Sequence, residues 1–313
     1  MSRILFISIV SFEGRVLKLY KILTKYDCNL GVFGRNMFPT PSIRKNLFSV
    51  IVNLTFSKIL NYLQSKIALQ LISVGKIKKY DVVFLAGSCG WQGIGRIAKA
   101  NLDGVHQIKV NSDDYDKFLL LQSSIINQTD KHILFLDEYL PFHPDTVLFN
   151  MKNIKAEDYY PELNRYFDKV EKKFGLPVVI AAHPKAIKYK TENFFDGRKV
   201  IFNQTPQLTR DSLFVIAHDS TSINFPIAFC KKLHFITSTN IKKSIGIVHR
   251  NVIHMSDFLG CNHQYIDNLD EKINLIDILP VERYKMFKYN FQTSLETENK
   301  LTSEIFIDYL VIP

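Results

Sequence analysis

Three short segments in the second half of this 313-residue chain carry side chains suited to handling protons and phosphate groups. They are Leu136-Asp137-Glu138, Ala182-His183-Pro184-Lys185 and His218-Asp219-Ser220-Thr221-Ser222. Each follows an apolar run typical of a buried parallel strand: His132–Phe135, Pro177–Ala181 and Leu213–Ala217. Because ligands of open α/β sheets bind beyond the carboxyl ends of the strands, the sequence predicts one site built from all three segments.

The first segment offers two adjacent carboxyl groups. Transfer of a sugar with inversion needs a base that takes the proton from the acceptor hydroxyl, and Asp137 and Glu138 are both candidates, with Asp137 preferred. The same residue types also form solvated loops and helix caps. A further His-Pro pair follows, and we interpret His143 as an acceptor contact or as part of a turn.

The second segment places a histidine beside a lysine. As an imidazolium, His183 can donate to a phosphate oxygen and neutralise charge that develops on a leaving nucleotide. Pro184 restricts the backbone so that the ring points into the site, and Lys185 adds a positive charge. The alternative is a structural histidine with partners inside the core.

The third segment opens a helix with hydroxyl groups. Free N–H groups at a helix start suit a phosphate, and the hydroxyls of Ser220, Thr221 and Ser222 add donors. Simple N-capping by Asp219 or Ser220 is the alternative, and it is compatible with phosphate binding. His218 either assists there or packs in the core.

A glycine-rich turn, Gly87–Gly95, follows an earlier apolar run. Its spacing is not that of a dinucleotide-binding loop, but it lets a substrate approach the backbone. Trp91, the only tryptophan, can stack on a sugar face. We therefore assign Gly90 and Trp91, together with His143, to acceptor binding.

An acidic triplet in Asp113–Asp116 resembles a divalent-ion motif, but such clusters also mark turns. The histidines do not have the spacing of a zinc site. We expect no metal cofactor.

The charge balance indicates an anionic partner. Forty Lys and Arg against 30 Asp and Glu give a net charge of +10, which favours a membrane surface or an anionic substrate, or serves only to keep the surface soluble. There is no dense basic tract or nucleic-acid motif, so we expect no nucleic-acid partner.

Four scattered cysteines indicate a reducing compartment, with Cys28 and Cys230 interpreted as buried thiols. The apolar run Ile4–Val10 is too short for a signal peptide and is predicted to be the first strand. No apolar run is long enough for a transmembrane helix. A cytoplasmic protein is expected.

Strands alternate with helices in both halves of the chain, which predicts two parallel sheets covered by helices. The last core strand is predicted at Asn251–His254, and a C-terminal helix at Val281–Tyr309. The polar segment Met151–Tyr160 is the predicted linker. It gives an N-terminal domain of residues 1–152 and a C-terminal domain of residues 153–313.

An apolar-rich stretch, Asn46–Val74, is predicted to be a long helix. Either it lies on a lipid surface, or it packs on the sheet, which is the preferred interpretation because amphipathic helices of soluble proteins are far commoner.

Taken together, Asp137-Glu138, His183-Pro184 and Ser220-Thr221 resemble motifs of GT-B glycosyltransferases that use CMP-activated acidic sugars, which are bacterial sialyltransferases and Kdo or other nonulosonic-acid transferases. The resemblance covers residues 130–240 and departs from the family at Tyr139, where the family has a glycine. It implies two Rossmann-like domains facing each other across a cleft, with the acceptor on the first domain and the donor on the second. It also implies an acidic base, a CMP phosphate held by the histidine and hydroxyls, and independence of metal.

The resemblance thus implies an inverting glycosyltransferase that moves sialic acid, Kdo or another nonulosonic acid from a CMP-sugar to a surface glycan or glycolipid. It would act in the cytoplasm or at the inner face of the cytoplasmic membrane. Teichoic-acid glycerophosphotransferases look similar, so a CDP-polyol donor is an alternative, as is a GT-B enzyme using a UDP- or GDP-sugar. A nucleotide- or glycan-binding protein without catalysis is the non-enzyme alternative.

Overall fold

The computed structural model divides the chain into two compact units. The first contains Met1–Phe38, Ser42–Ser112 and Tyr289–Pro313, and the second contains Pro39–Pro41 and Asp113–Lys288. The described residues are 5–8, 16–36, 38–39, 56–94, 102–122, 131–148, 152–268, 272–275 and 278–311.

The division between the units differs from the predicted boundary after residue 152. The strand His132–Leu136 pairs inside the second unit's sheet, because its apolar side chains are buried on both faces there. Asp137 and Glu138 therefore belong to the second unit, together with His183 and Ser220. The C-terminal residues return to the first unit.

The first unit is built on a parallel sheet whose described strands pair in sequential order. They are β1 Leu5–Ser8, β2 Asn29–Arg35, β3 Val82–Ala86 and β4 His106–Val110. Right-handed crossovers that always step in one direction put their helices on the same face. Accordingly α1, Leu17–Lys25, and α2, Phe56–Ser73, both contribute to one apolar cluster. Phe306 of the C-terminal helix Thr302–Val311 packs on the other face, with its ring centroid 5.0 Å from that of Phe84.

Helix α2 covers the described part of the predicted stretch 46–74, and residues 46–55 lie outside the described part of the chain. Ala68 and Ile72 are buried in the cluster on the sheet. Several apolar side chains on α2 nevertheless face outward and are 41–52% exposed: Ile59, Leu60, Tyr62, Leu63 and Ile67. The helix is thus anchored on the sheet through one stripe and presents a second apolar stripe at the surface.

The second unit has a six-stranded parallel sheet in the order β10-β9-β8-β5-β6-β7. The strands are β5 His132–Leu136, β6 Val178–Ala182, β7 Val200–Phe202, β8 Ser212–Ala217, β9 Lys232–Thr237 and β10 His263–Tyr265. Starting at β5, the chain first moves outward to β6 and β7 and then returns to the other side of β5. This is the doubly wound order, and its topological switch point lies between β5 and β8. The predicted α/β class with two parallel sheets is confirmed.

Helices on both faces cover this sheet. They are α3 Asp113–Gln122, α4 Pro144–Leu148, α5 Ala156–Phe174, α6 Thr205–Arg210, α7 Asn224–Ala228, α8 Thr239–Ser244, α9 Gly246–Leu259 and α10 Val281–Phe287. The longest, α5, ends at Gly175, whose φ of 67° is the left-handed conformation that favours glycine.

Two predicted elements are wrong. Asn251–His254 is not a strand but lies inside α9, where Val248, Val252, Met255 and Leu259 are buried at helical spacing. The predicted helix Val281–Tyr309 is interrupted: α10 runs into a π-helical turn, Lys288–Gln292, and a non-helical segment precedes the C-terminal helix.

All four cysteines are free. Cys230 is exposed and Cys28 is half-buried, contrary to the prediction, because Cys230 lies beyond the end of α7; Cys261 is the buried thiol. Within the described chain, no helix is long and apolar enough to cross a membrane.

Candidate functional site

The loops that follow β5, β6 and β8 meet beside the switch point of the second sheet. Because β5 separates β6 from β8, the loops after these three strands are neighbours at one edge. They carry Asp137, His183 and Ser220, respectively. The structure therefore brings together one residue from each of the three predicted segments.

A cavity of about 550 Å³ opens at this edge. His183 and Pro184 line it together with the three hydroxyl residues Ser220, Thr221 and Ser222, and Asp137 is also part of its wall. Apolar side chains complete the wall: Leu120, Leu121, Leu136, Pro206 and Phe225. The cavity thus combines apolar surface with a few convergent polar groups, as small-molecule sites do.

The His183 ring is held in one orientation. Its Nδ1 accepts a hydrogen bond from the backbone N–H of Lys185 at 3.2 Å, so the neutral ring carries its hydrogen on Nε2. Burial lowers the pKa of His183, and the neighbouring His143 and Lys185 lower it further. His183 is therefore a neutral N–H donor in the free protein rather than the imidazolium that the sequence suggested.

Asp137 joins the β5 and β6 loops. Its carboxylate accepts hydrogen bonds from the Tyr189 hydroxyl at 3.1 Å and from the His183 backbone N–H at 3.4 Å. Burial raises the pKa of Asp137 to about 6, while the hydrogen bonds that it accepts oppose this rise. Both carboxylate oxygens are thus engaged inside the protein, which suits a residue that positions His183.

Glu138 differs from its neighbour. Its Oε1 is enclosed without a hydrogen-bond donor among the described residues. Burial, and next the carboxyl group of Asp219, raise the pKa of Glu138 well above its usual range. Asp219 in turn accepts a hydrogen bond from the Asn251 amide at 2.7 Å. The two carboxyl groups repel each other when both are charged, so Glu138 takes up a proton more readily than an exposed carboxyl group does.

A second cavity, of about 390 Å³, lies beside this acid pair. Its wall includes Glu138, Asp219 and His143. His183, Ser220 and Thr221 line both cavities, so the two adjoin along that shared wall.

The two His-Pro pairs of the sequence meet at this second cavity. The rings of His143 and His183 are 4.9 Å apart between centroids in an edge-to-face contact. The Nδ1 of His143 accepts from the N–H of Asp145 at 3.2 Å, which repeats the arrangement at His183. Asp145 and Lys185, two positions after each histidine, form an ion pair at 3.6 Å. Lys185, predicted to bind the nucleotide, is thus engaged with Asp145 at the surface.

The hydroxyl segment begins with a cap. Ser220 Oγ accepts from the Ser222 N–H at 3.3 Å and starts a 3-10 turn, Thr221–Ile223, that leads into the short helix α7. Capping therefore occurs, while the three residues still line the first cavity.

His218 has a structural position. It is fully enclosed, and its Nδ1 donates to the Ile236 carbonyl at 2.8 Å while its Nε2 accepts from the Tyr159 hydroxyl at 3.0 Å. Burial lowers the pKa of His218 to about 4. Both ring nitrogens of the neutral His218 are already hydrogen-bonded inside the protein. His218 therefore packs in the core and has no nitrogen left to bind a nucleotide.

The acidic triplet forms the first turn of α3, where carboxylates favour the helix start. Asp114 accepts from the Asn224 amide at 3.1 Å and pairs with Lys117 at 3.4 Å. Across the described chain, no group of three or more His, Cys, Asp or Glu side chains is arranged to hold a metal ion.

Sequence reasoning missed several residues that line the first cavity. They are Asn203, Thr205 and Gln207, and Lys117 of α3 adds a cation to the wall. Asn203 directly follows β7, so applying the post-strand rule to that strand would have identified it.

Gly90 and Trp91, predicted to bind the acceptor, lie in the first unit. Packing against β2 requires glycine at two positions of this turn. A Cβ on Gly90 would lie 2.6 Å from the Gly34 carbonyl oxygen, and one on Gly93 would lie 1.7 Å from the Arg35 carbonyl oxygen. Trp91 lines a separate cavity of about 470 Å³ inside the first unit.

No protein-family model and no curated protein sequence matches this chain. Among solved structures, it is similar to a UDP-GlcNAc 2-epimerase from Methanocaldococcus jannaschii, with 12% identity and a TM-score of 0.39 over 95% of this chain and 80% of that one. The glycosyltransferase SnogD from Streptomyces nogalater shares 11% identity at a TM-score of 0.39, over 98% of each chain. The wall teichoic acid polymerase TagF shares 12% identity at a TM-score of 0.48, over 91% of this chain and 69% of that one. Similarities of this size do not specify an activity, so the function has to be inferred from the residues of the site.

Proposed function

We propose that this protein is an inverting glycosyltransferase that moves an acidic sugar from a CMP-sugar to an acceptor hydroxyl. The observation that carries the proposal is the wall of His183, Ser220 and Thr221 that two adjoining cavities share. One imidazole N–H and two hydroxyls are donors suited to a phosphate group. With the phosphate at that wall, the nucleoside occupies the first cavity and the acceptor reaches the bond to be broken from the second.

The shared wall would stabilise the leaving group. As the bond between the anomeric carbon and the phosphate oxygen breaks, the electron pair stays on that oxygen and CMP departs. The Nε2–H of His183 and the hydroxyls of Ser220 and Thr221 become stronger partners as this charge develops. Asp137 acts here as a positioning residue, because its carboxylate accepts a hydrogen bond from the backbone N–H of His183.

The acid pair supports the role of base. The acceptor oxygen forms the new bond to the anomeric carbon, and its proton passes to the carboxylate of Glu138, beside Asp219. A buried carboxylate with a raised pKa is a stronger base than an exposed one, which suits the removal of a proton from a hydroxyl group. Of the two candidates from the sequence, we favour Glu138 over Asp137, whose oxygens are engaged with Tyr189 and His183.

A CDP-polyol glycerophosphotransferase is the second candidate. Lys117 in the wall of the first cavity is the observation in its favour, because a cation there suits a second phosphate. A UDP- or GDP-sugar donor would use the same cation.

For the acceptor, we propose a surface glycan or a glycolipid at the inner face of the cytoplasmic membrane. The net charge of +10 and the outward apolar stripe of α2 support contact with an anionic lipid surface. The proposal includes no metal and no nucleic acid.

The experiment is a comparison of nucleotides, with and without magnesium. A ligand that binds only the folded state stabilises it by about 2.7 kcal/mol at a hundredfold excess over Kd, which raises the Tm. We expect a metal-independent rise with CMP, followed by release of CMP from CMP-sialic acid or CMP-Kdo when a glycolipid acceptor is added. A larger rise with CDP than with CMP would favour the second candidate. Binding without release from any donor would indicate a binding protein, and no rise with any nucleotide would contradict the proposal.

A further inference from the structure

The cavity around the only tryptophan lies wholly within the first unit. It has a volume of about 470 Å³, and the half-buried Trp91 forms part of its wall. Leu85 and Leu102 give the wall an apolar part, and Gln107 of β4 gives it an amide. An indole face beside an amide is suited to a ligand that has both apolar faces and hydroxyl groups.

Backbone packing holds this cavity in a fixed shape. The turn that carries Trp91 touches β2 through Gly90 and Gly93, where no Cβ fits. Gly87 approaches the other wall equally closely, since a Cβ there would lie 2.5 Å from the Asn290 carbonyl group. Three close backbone contacts therefore fix the turn that carries Trp91 before any ligand arrives, which reduces the ordering cost of binding.

The opposite wall comes from the π-helical turn. The N–H groups of Ser88 and Cys89 donate to the carbonyls of Tyr289 and Asn290 at 2.9 and 2.8 Å. Tyr289 also lines the cavity. Isolated π-helical turns occur frequently at functional sites, and this turn is an observation independent of Trp91.

The wall carries two acidic side chains and one basic side chain. Lys109 and Glu296 neutralise each other in an ion pair at 3.0 Å, while Asp103 leaves one negative charge. The wall thus has no net positive charge to attract a phosphate or a carboxylate, whereas carboxylates and an amide readily hydrogen-bond hydroxyl groups.

We propose that this cavity binds a neutral saccharide that stacks on Trp91 and is hydrogen-bonded by Gln107. The proposal does not depend on the nucleotide site, because every residue that carries it belongs to the first unit. It assigns the glycan-recognition step to a site distinct from the residues that handle phosphate.

Trp91 provides its own readout, because its fluorescence is the only indole signal of the chain. The experiment titrates the full-length protein with glucose, galactose, N-acetylglucosamine and lactose, and in parallel with CMP and sialic acid. We expect a saturable change of Trp91 fluorescence with at least one neutral sugar. A saturable change with CMP or sialic acid alone, or no change with any of them into the millimolar range, would overturn the proposal.

Variants test the two named contacts. Gln107→Ala keeps the fluorescent reporter and should weaken the responding sugar about tenfold, and Trp91→Ala, followed by calorimetry, should weaken it at least as much. Trp91→Phe keeps an aromatic face and should lose less. Gln70→Ala, at an exposed position on α2, is the matched control and should leave the affinity unchanged. Equal affinities of wild type, Gln107→Ala and Trp91→Ala would contradict the assignment, while the nucleotide titration of the second unit reports separately on the proposed transferase.

Discussion

Both units consist of a parallel sheet with helices, but they form their cavities in different ways because their strand orders differ. In the second sheet the order reverses at β5, so neighbouring loops diverge and leave space that Asp137, His183 and Ser220 surround. In the first sheet the described strands follow one another without reversal. Its cavity depends instead on close backbone packing around Trp91. The comparison teaches that strand order decides where ionisable groups can gather.

The distribution of histidines follows the same division. His106 is the only one of the nine histidines in the first unit. In the second unit, burial lowers the pKa of five histidines: His132, His183, His218, His234 and His249. Proton chemistry and pH sensitivity are therefore expected from the second unit.

The largest effect is expected for Glu138→Gln. Gln keeps the size of the side chain and can still donate to Asp219, but it cannot take up a proton, so the group proposed as the base is lost. The rate of transfer should fall about 10²–10⁴-fold, as for loss of a general base. CMP affinity, measured by calorimetry, should stay within about threefold because Glu138 lines the second cavity and not the first. A variant that retains a tenth of the wild-type rate would show that Glu138 is not the base.

A destabilising substitution in the first unit should leave the nucleotide site of the second unit intact. In Gly93→Ala, the added Cβ meets the backbone of Arg35, which cannot move aside at low cost. We expect a loss of about 3 kcal/mol or more in the unfolding free energy reported by Trp91 fluorescence in urea. CMP affinity should be unchanged.

Gly75→Ala is the control for the glycine variant. Gly75 has a φ of +72° but open space around it, so only the conformational cost of about 1 kcal/mol applies. If Gly93→Ala and Gly75→Ala were equally stable, the close contact with β2 would not fix the Trp91 turn.

His183→Ala should weaken CMP binding about 10–100-fold, since a hydrogen bond to a charged group contributes about 1.5–3 kcal/mol. His143→Phe is the matched variant, because it keeps the ring contact with His183 but removes the nitrogens. It should change CMP affinity by less than about threefold. Calorimetry on both variants shows which of the two histidines contacts CMP. If both variants lost CMP affinity equally, the nucleotide would contact His143 as well.

The sequence predicts the second unit well where the signal is local. The strands β5, β6 and β8 are continuous apolar runs, and the polar residues after them lie at one edge for a topological reason. The prediction of a strand at Asn251–His254 was wrong because a four-residue run with one buried face does not distinguish a strand from a helix. The partnership of Glu138 with Asp219 depends on the contact of two loops after different strands, which no spacing along the chain reveals. The sequence also put Asp137 and His183 on different domains, since the pairing of β5 with β6 is a tertiary contact.

The smallest effect tests the pH sensitivity of the second unit. His234 is buried on β9 with its ring stacked against Tyr166, and burial lowers its pKa to about 4. The unfolded chain binds a proton on this residue near pH 6.5. The neutral His234 therefore contributes fully to the free energy of unfolding of the wild type above about pH 6.5. This contribution is lost as the pH falls toward 4. His234→Phe keeps the stacked ring but does not titrate.

The stability of His234→Phe relative to wild type should therefore increase by about 1 kcal/mol between about pH 7 and about pH 5.5. Urea unfolding followed by circular dichroism at the two pH values measures this difference. His106→Phe, at an exposed position on β4 of the first unit, is the comparison variant. If the stability of both variants relative to wild type changed equally with pH, the pH dependence would not arise from the buried His234. The two units would then not differ in how proton binding affects their stability.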